Sequence, residues 1–215
     1  SAFVPESVLP QVEAVDGVRA ATGVLRRQFS LPTLGINNDN GSVPQIELVG
    51  LDPASASQVR EFIVSEGRFL EPGDAGKAVL PAGLAELSPQ LQVGTTFPLV
   101  TAGGLKLYTI VGLLAEQGSS TPQIYVTLPD AQAAFNQSGF INAIEVAFDA
   151  RADHAAVTAV VQQALGDGYS VNSDASSTDA LAAMQIGFAM MDLLGVLALF
   201  LGAFLIFNTF RTVVV

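Results

Sequence analysis

Apolar and polar positions alternate in short runs over most of the chain, and the runs predict small elements of both kinds. "SVLPQVEAVDGV" puts Val8, Val12 and Val15 on one side of a short helix, which Asp16-Gly17 stops. "VRAATGVLRRQFSLP" predicts a strand with a break at its glycine. A turn-rich insert, "GINNDNGSVP", separates it from a buried strand in "QIELVGLDP". Beyond these the sequence predicts a strand at Phe62-Ile63-Val64, a turn at Glu71-Pro72-Gly73, and a strand from Lys77 to Leu80. A helix of one or two turns from Ala82 to Leu87 and a turn at Gly94 follow. "TFPLVTAGGLKLYTIVGLL" reads as a hairpin, two β-rich runs meeting across Ala102-Gly103-Gly104. "QIYVTL" is a further strand, Asp130 is placed to cap a helix over "AQAAF", and Ile141 to Asp149 alternate as a strand. "ADHAAVTAVVQQAL" is an amphipathic helix closed by Gly166, and "YSVNS" a last short strand; no fixed-period repeat runs through the chain.

Strand, helix and strand recur at both ends, while the middle is dense in strands. The fold class this implies is α+β. Residues 1–52 and 140–175 are expected to build a discontinuous membrane-proximal α+β subdomain, with residues 53–139 inserted as a β-rich subdomain.

The pattern then changes. Leu193 to Phe207, fifteen residues, contain nothing more polar than glycine, and Asn208, Thr209 and Phe210 carry the uncharged run to Arg211. Eighteen residues make a helix of about 27 Å, close to the ~30 Å of a bilayer's hydrocarbon core. A buried core helix is the alternative, but such helices show a polar edge, and none appears here between Asp192 and Arg211. Residues 193–212 are therefore read as a transmembrane helix, surrounded by lipid. Ser176 and Asp179 suit a capping arrangement, and no proline interrupts the chain from there to Arg211. About 35 residues would span about 52 Å, about 20 Å more than the bilayer needs, so residues 176–192 are expected to project as a stalk. Arg211 after the run, against Asp174, Asp179 and Asp192 before it, turns the C-terminal end toward the cytoplasm. Residues 1 to about 190 then lie on the extracytoplasmic side of the cell membrane.

Charge narrows the partners. A net charge of −11, with nine Lys plus Arg, argues against nucleic acid or an anionic surface as a ligand. The chain has no cysteine, which excludes a disulfide framework. With 215 residues it can build one sizeable core or two small ones outside the membrane.

Catalytic chemistry finds no footing in this sequence. His154 is the single histidine, so a Ser-His-Asp triad or a histidine-rich metal site would have to use it; it reads as a solvated residue in a helix's first turn, near Asp149 and Asp153. "INNDNGS" lacks the spacing and closing glutamate of a calcium loop, and no phosphate loop or dinucleotide fingerprint occurs. No catalytic, metal or cofactor residue is assigned. Arg26 and Arg27 are adjacent and so face opposite sides of a strand, one placed to meet an acidic neighbour and the other solvated. Along the C-terminal helix Gly187, Gly195 and Gly202 would let a second helix approach closely, and Asn208 could hydrogen-bond across such a contact.

"VEAVDGVRAATGVLRRQ", "IELVGLDP", "SEGRFLEPGDAGKAVLPAGLAEL", "LQVGTTFPLV", "LYTIVGLL" and "IYVTLPDAQAAF", followed by "LGAFLIFNTFRTVVV", resemble in their order an ABC-transporter permease of the MacB and FtsX type. The parts resembled are its extracytoplasmic core domain and second transmembrane helix. The resemblance implies a two-part outer domain between the first and second membrane helices, a cytoplasmic ABC ATPase subunit as partner, and a second permease half or copy. It implies mechanotransmission, in which ATP-driven helix movement is relayed through the stalk to export or extract a substrate outside the cytoplasm. A membrane-tethered binding or sensor domain that docks an envelope protein is the alternative reading of the same features.

Overall fold

Three strands with almost no polar alternation set the architecture, because an apolar run of that kind needs cover on both faces. They are β3 (Gln45–Leu51), β5 (Lys77–Pro81) and β8 (Gln123–Thr127), each buried along most of its length. The computed structural model describes residues 3–30, 45–115 and 121–165, with 191, 195, 199 and 201–204. Residues 1–169 form one compact unit and residues 170–215 a second.

The first unit is built on a mixed sheet. Its other strands are β2 (Val18–Ser30), β4 (Val64–Gly67), β6 (Thr96–Thr101), β7 (Gly104–Leu114) and β10 (Ala143–Phe148). The order is β10-β2-β3-β8-β5-β7-β4, with β6 paired to β7 outside that path. β3 runs parallel to β8 and β5 parallel to β7, and the remaining neighbours are antiparallel. A two-residue ribbon, β1 (Val4–Pro5) with β9 (Phe140–Ile141), ties the N-terminal segment to the chain just before β10.

Alternate residues of the central strands feed two cores. Leu25, Leu48, Leu80, Ile124 and Val126 face one side, where they meet Val4, Leu84, Phe97, Tyr108, Leu128, Ala131 and Ala134. Val24, Val49, Val79 and Tyr125 face the other, under Ala56, Phe62, Phe69 and Leu70. The first side is covered by α3 (Ala82–Leu87) and α4 (Leu128–Phe135), the second by α2 (Pro53–Val59). α4 lies so close to β3 that a methyl group on Gly50 would collide with the Ala131 side chain. Two further helices, α1 (Leu9–Glu13) and α5 (His154–Leu165), complete the described part of the unit.

Most predicted elements are present, including the helix at Ala82–Leu87 and the hairpin across Ala102-Gly103. Four differ. Gly23 does not break β2, which runs unbroken for 13 residues, because the missing side chain makes room for Ile141 and Leu9. The strand expected at Phe62 begins at Val64, since Phe62 turns into the second core. Asp130 is not the cap of α4: Thr127 holds that place, and Asp130 lies inside the first turn with its carboxylate on Gly76 N–H at 2.8 Å and Thr127 Oγ1 at 3.0 Å. β10 alternates in sequence, yet all six of its residues are half-buried, because it is the last strand of the sheet. The insert at 35–44, the closing Gly166 and the strand "YSVNS" lie outside the described residues.

In the second unit Met191, Gly195, Leu199 and Leu201–Phe204 are helical, and Met191, Leu199, Leu201 and Phe204 are exposed. Among the described residues no helix is long and apolar enough to cross a membrane. Most of the apolar run, with all of the stalk predicted at 176–192 except Met191, lies outside them.

Candidate functional site

Two polar constellations and one anchoring region organise the charged residues of the first unit. The anchoring region begins with the N-terminal segment. Glu6 N–H donates to Gly139 O at 2.9 Å, extending the β1–β9 ribbon by one bond. Gln132, buried on α4, donates from Nε2 to Phe140 O at 3.1 Å and to Glu6 Oε2 at 3.2 Å. The Arg27 guanidinium sits over the rings of Phe3 and Phe135, 5.5 and 5.6 Å from their centroids. Such cation–π contacts favour a fixed guanidinium plane. Phe3 and Glu6 are thereby fastened to α4 and its C-terminal end.

That end of α4 also holds the β6–β7 hairpin. Asn136 ends the helix in the left-handed conformation and donates from Nδ2 to Ala102 O at 3.3 Å, while Gly103 N–H donates to Ala134 O at 2.8 Å. Only glycine fits at 103, because a side chain would strike the Ala133 carbonyl. N-terminal segment, helix end and hairpin tip are therefore contiguous.

The first constellation lies on the opposite face of the sheet. Arg26 pairs with Glu145, whose other oxygen is 3.5 Å from Arg60 Nε. Arg60 lies over Phe62 and Tyr125, at 4.7 and 5.3 Å, and Phe62 stacks on Phe69 at 4.0 Å. Tyr125 donates to Gln123, which donates in turn to Glu47 at 2.8 Å. Burial pushes the Tyr125 phenol above its ordinary value, with the Arg60 charge opposing that shift. Asn142 adds a local device: its side-chain amide bonds both Arg26 N–H (2.8 Å) and Arg26 O (2.7 Å), taking the place of a strand's peptide group and ending the β10–β2 ladder. A cavity of about 630 Å³ opens beside it, lined by Phe3, Arg26, Arg27, Gln28, Glu47 and Asn142 among others.

The second constellation closes the loop before β5. Asp74 is 5 % exposed and accepts Arg68 Nη1 and Nη2 at 2.6 and 3.1 Å, Lys77 Nζ at 2.7 Å and Glu71 N–H at 2.9 Å. The Arg68 fork, ahead of the Lys77 and backbone bonds, outweighs burial and holds the Asp74 carboxyl well below the usual carboxylate range.

These arrangements hold parts of the fold together and contain no nucleophile beside a base. His154 stacks on Phe148 at 5.0 Å, and Asp153 caps α5 by accepting Ala155 N–H at 3.0 Å. Among the described residues no group of three His, Cys, Asp or Glu could share a metal ion. Arg26 and Arg27 do take opposite sides, Arg26 with an acidic partner and Arg27 exposed between two rings. Gly195 and Gly202 have nothing within 4 Å of where a side chain would begin; Gly187 and Asn208 lie outside the described residues. Asn142, Gln132 and Arg60 were not singled out by the sequence, since each acts through partners more than 65 positions away or through a backbone whose path only the fold shows.

The sequence profile of the MacB-like periplasmic core domain matches residues 2–164. No curated protein sequence matches the chain. Among solved structures, the extracellular domain of the noncanonic ABC-type transporter YknZ from Gram-positive bacteria superposes with a TM-score of 0.57 at 15 % identity, over 77 % of this chain and 84 % of that one. The periplasmic region of MacB from Actinobacillus actinomycetemcomitans gives a TM-score of 0.53 at 11 % identity, over 75 % and 72 %. At these identities the likeness is one of fold.

Proposed function

The chain belongs to the MacB-like periplasmic core domain family, and from that premise we propose that it is the extracytoplasmic domain of an ABC transporter permease. In this reading, movement of membrane helices driven by a separate cytoplasmic ATPase reaches the domain through its two connections to the membrane. One connection precedes Phe3, and the other is the segment that contains the apolar run from Leu193. Residues 1–52 and 140–175 form the part nearer the membrane, and residues 53–139 the inserted part. A second permease half or copy packs against the membrane helix through Gly187, Gly195, Gly202 and Asn208.

One observation carries the proposal: the family match covers residues 2–164, nearly the whole of the compact unit that ends at Tyr169. The anchoring of Phe3 to Glu6 supports it, because a domain that transmits movement needs its entry segment held to its core. The test is purification of the full-length membrane protein in mild detergent, with identification of what accompanies it and an ATP hydrolysis assay. A stoichiometric ATPase with turnover is the expected result. An envelope protein bound in its place, with no ATPase, would replace this reading with a tethered binding domain.

A further inference from the structure

β2 outruns its partner along one edge. Its ladder with β10 ends at Val24↔Ala143, whereas its ladder with β3 continues to Ser30↔Gln45. Among the described residues, positions 27–30 of β2 therefore have a strand on one side only. Hydrogen bonding along β2 fixes which groups face the open side. Val24 O accepts Asn142 N–H at 3.0 Å, and both Arg26 N–H and Arg26 O are bonded by the Asn142 side chain. Direction alternates along an antiparallel ladder, so Gln28, two residues on, turns its N–H and C=O to the same side. Neither group has a partner among the described residues, and Gln28 is exposed.

The chain leaves this edge by turning away from it: Ile141, before Asn142, pairs with Val4 and is buried in the first core. The cavity of about 630 Å³ lies at the place vacated. By alternation from Val24 and Leu25, it is lined by Arg26, Gln28 and Glu47 from the second side of the sheet and by Arg27, with Phe3, from the first. The Asn142 amide already stands at its rim where the peptide group of a neighbouring strand would be. Elsewhere the edge at β6 is closed to an added strand. The hairpin there carries an exposed apolar strip of Val100, Leu105 and Leu107, but Pro98 interrupts its outward N–H groups.

We propose that the open edge of β2 is a docking slot for an extended segment of a partner polypeptide, which adds antiparallel to it opposite Gln28 and sets one carboxylate beside Arg26. Main-chain bonds to a free edge supply affinity, and alternate side chains supply specificity. Charge selects the side chain. Arg26 and Arg60 share the single carboxylate of Glu145, and Glu47 is held by Gln123, so a carboxylate facing Arg26 meets guanidinium charge in excess. One carboxylate fits better than an acidic run, which the chain's net charge of −11 repels. A second copy of the same edge would bring another Arg26-Arg27 pair to the slot, like charge against like. The slot is a property of the sheet and does not depend on the permease reading.

The test uses the full chain in mild detergent and a blocked seven-residue peptide with valine at odd positions, threonine second and sixth, and glutamate at the centre. Fluorescence anisotropy should show saturable binding. Amide hydrogen exchange should slow at Gln28 on adding peptide and stay unchanged at Arg27 and Phe29, whose groups face β3. Gln28→Pro removes the outward N–H without touching the β3 ladder and should weaken binding about tenfold or more, with circular dichroism unchanged. The peptide itself, N-methylated at its glutamate, should fail on the parent chain, a check that needs no variant to fold. No saturable binding overturns the proposal, as does equal binding of a peptide with lysine at the centre. Binding that leaves exchange at Gln28 unaltered places the peptide elsewhere and overturns it too. Protection of Gln28 without peptide, whether constant or rising with chain concentration, would assign the edge to this chain or to a second copy and overturn it as well.

Discussion

Asp74 gathers four donor contacts around one carboxylate, from Arg68 Nη1 and Nη2, Lys77 Nζ and Glu71 N–H. Replacing it by alanine leaves two cations and a backbone N–H without their acceptor. Asp74→Ala should lower stability by about 2–3 kcal/mol, the range for bonds to charged groups, read from urea unfolding at neutral pH. Its titration gives a second check. The native carboxyl is held below its ordinary value of about 3.9, so the charge contributes its full stability above that pH and loses it as pH falls toward the depressed value. The parent should therefore lose stability more steeply than Asp74→Asn below about pH 4; parallel curves would remove the Arg68 fork as the cause. Gly50 teaches the opposite lesson about visibility. Its lack of a side chain lets α4 settle on β3, and Gly50→Ala should cost about 1–3 kcal/mol in the same assay by prying the two apart. Nothing in "ELVGLD" announces this, because a close approach involves residue 131, far along the chain.

Elements were legible where their signal is local. The hairpin is written in Ala102-Gly103-Gly104 between β-rich runs, and Gly104 does adopt φ of 99°. α2 was missed although its signal is equally local: Asp52 caps it by accepting Ser55 N–H at 3.1 Å, and Pro53 opens the first turn. Its seven residues carry too little apolar periodicity to stand out, since only Pro53 and Ala56 are buried. The apolar strip on β6 and β7 was hidden for a different reason. A strand apolar on both faces reads as fully buried, and only the sheet order shows that β6 lies at an edge. That edge is guarded by Pro98, whose nitrogen faces outward. Pro98→Val restores a full row of donors there and should produce concentration-dependent self-association in sedimentation, with the fold unchanged by circular dichroism. A variant as monodisperse as the parent would show that some other feature protects the edge.

Across the whole molecule, the sequence resolved the family and the mixed α+β class, and the clustering of charge around Glu145 and Asp74 emerged only from the fold. One sheet runs from β10, near the C-terminal end of the first unit, through β2 and β3 to β8, β5, β7 and β4. The parallel β3–β8 pair joins β10, β2 and β3 to the other strands over five residue pairs, from Glu47–Gln123 to Leu51–Thr127. A sheet continuous across that junction, with a close-packed core on each face, passes displacement along its length in place of absorbing it. In the proposed transporter, movement delivered from the membrane is then felt in residues 53–139 without a hinge at residue 52. For the proposed transporter the step to test lies in how the movement arrives. The segment from about Ser177 to Arg211 is expected to be one helix, and proline at position 183 breaks or kinks a helix at a cost of about 3 kcal/mol or more. In the full-length permease, Ala183→Pro should leave the ATPase bound, as read by co-purification, while transport falls. Unchanged transport alongside a bound ATPase would exclude rigid transmission through this segment and leave the anchored entry at Phe3 to Glu6 as the route by which force reaches the sheet.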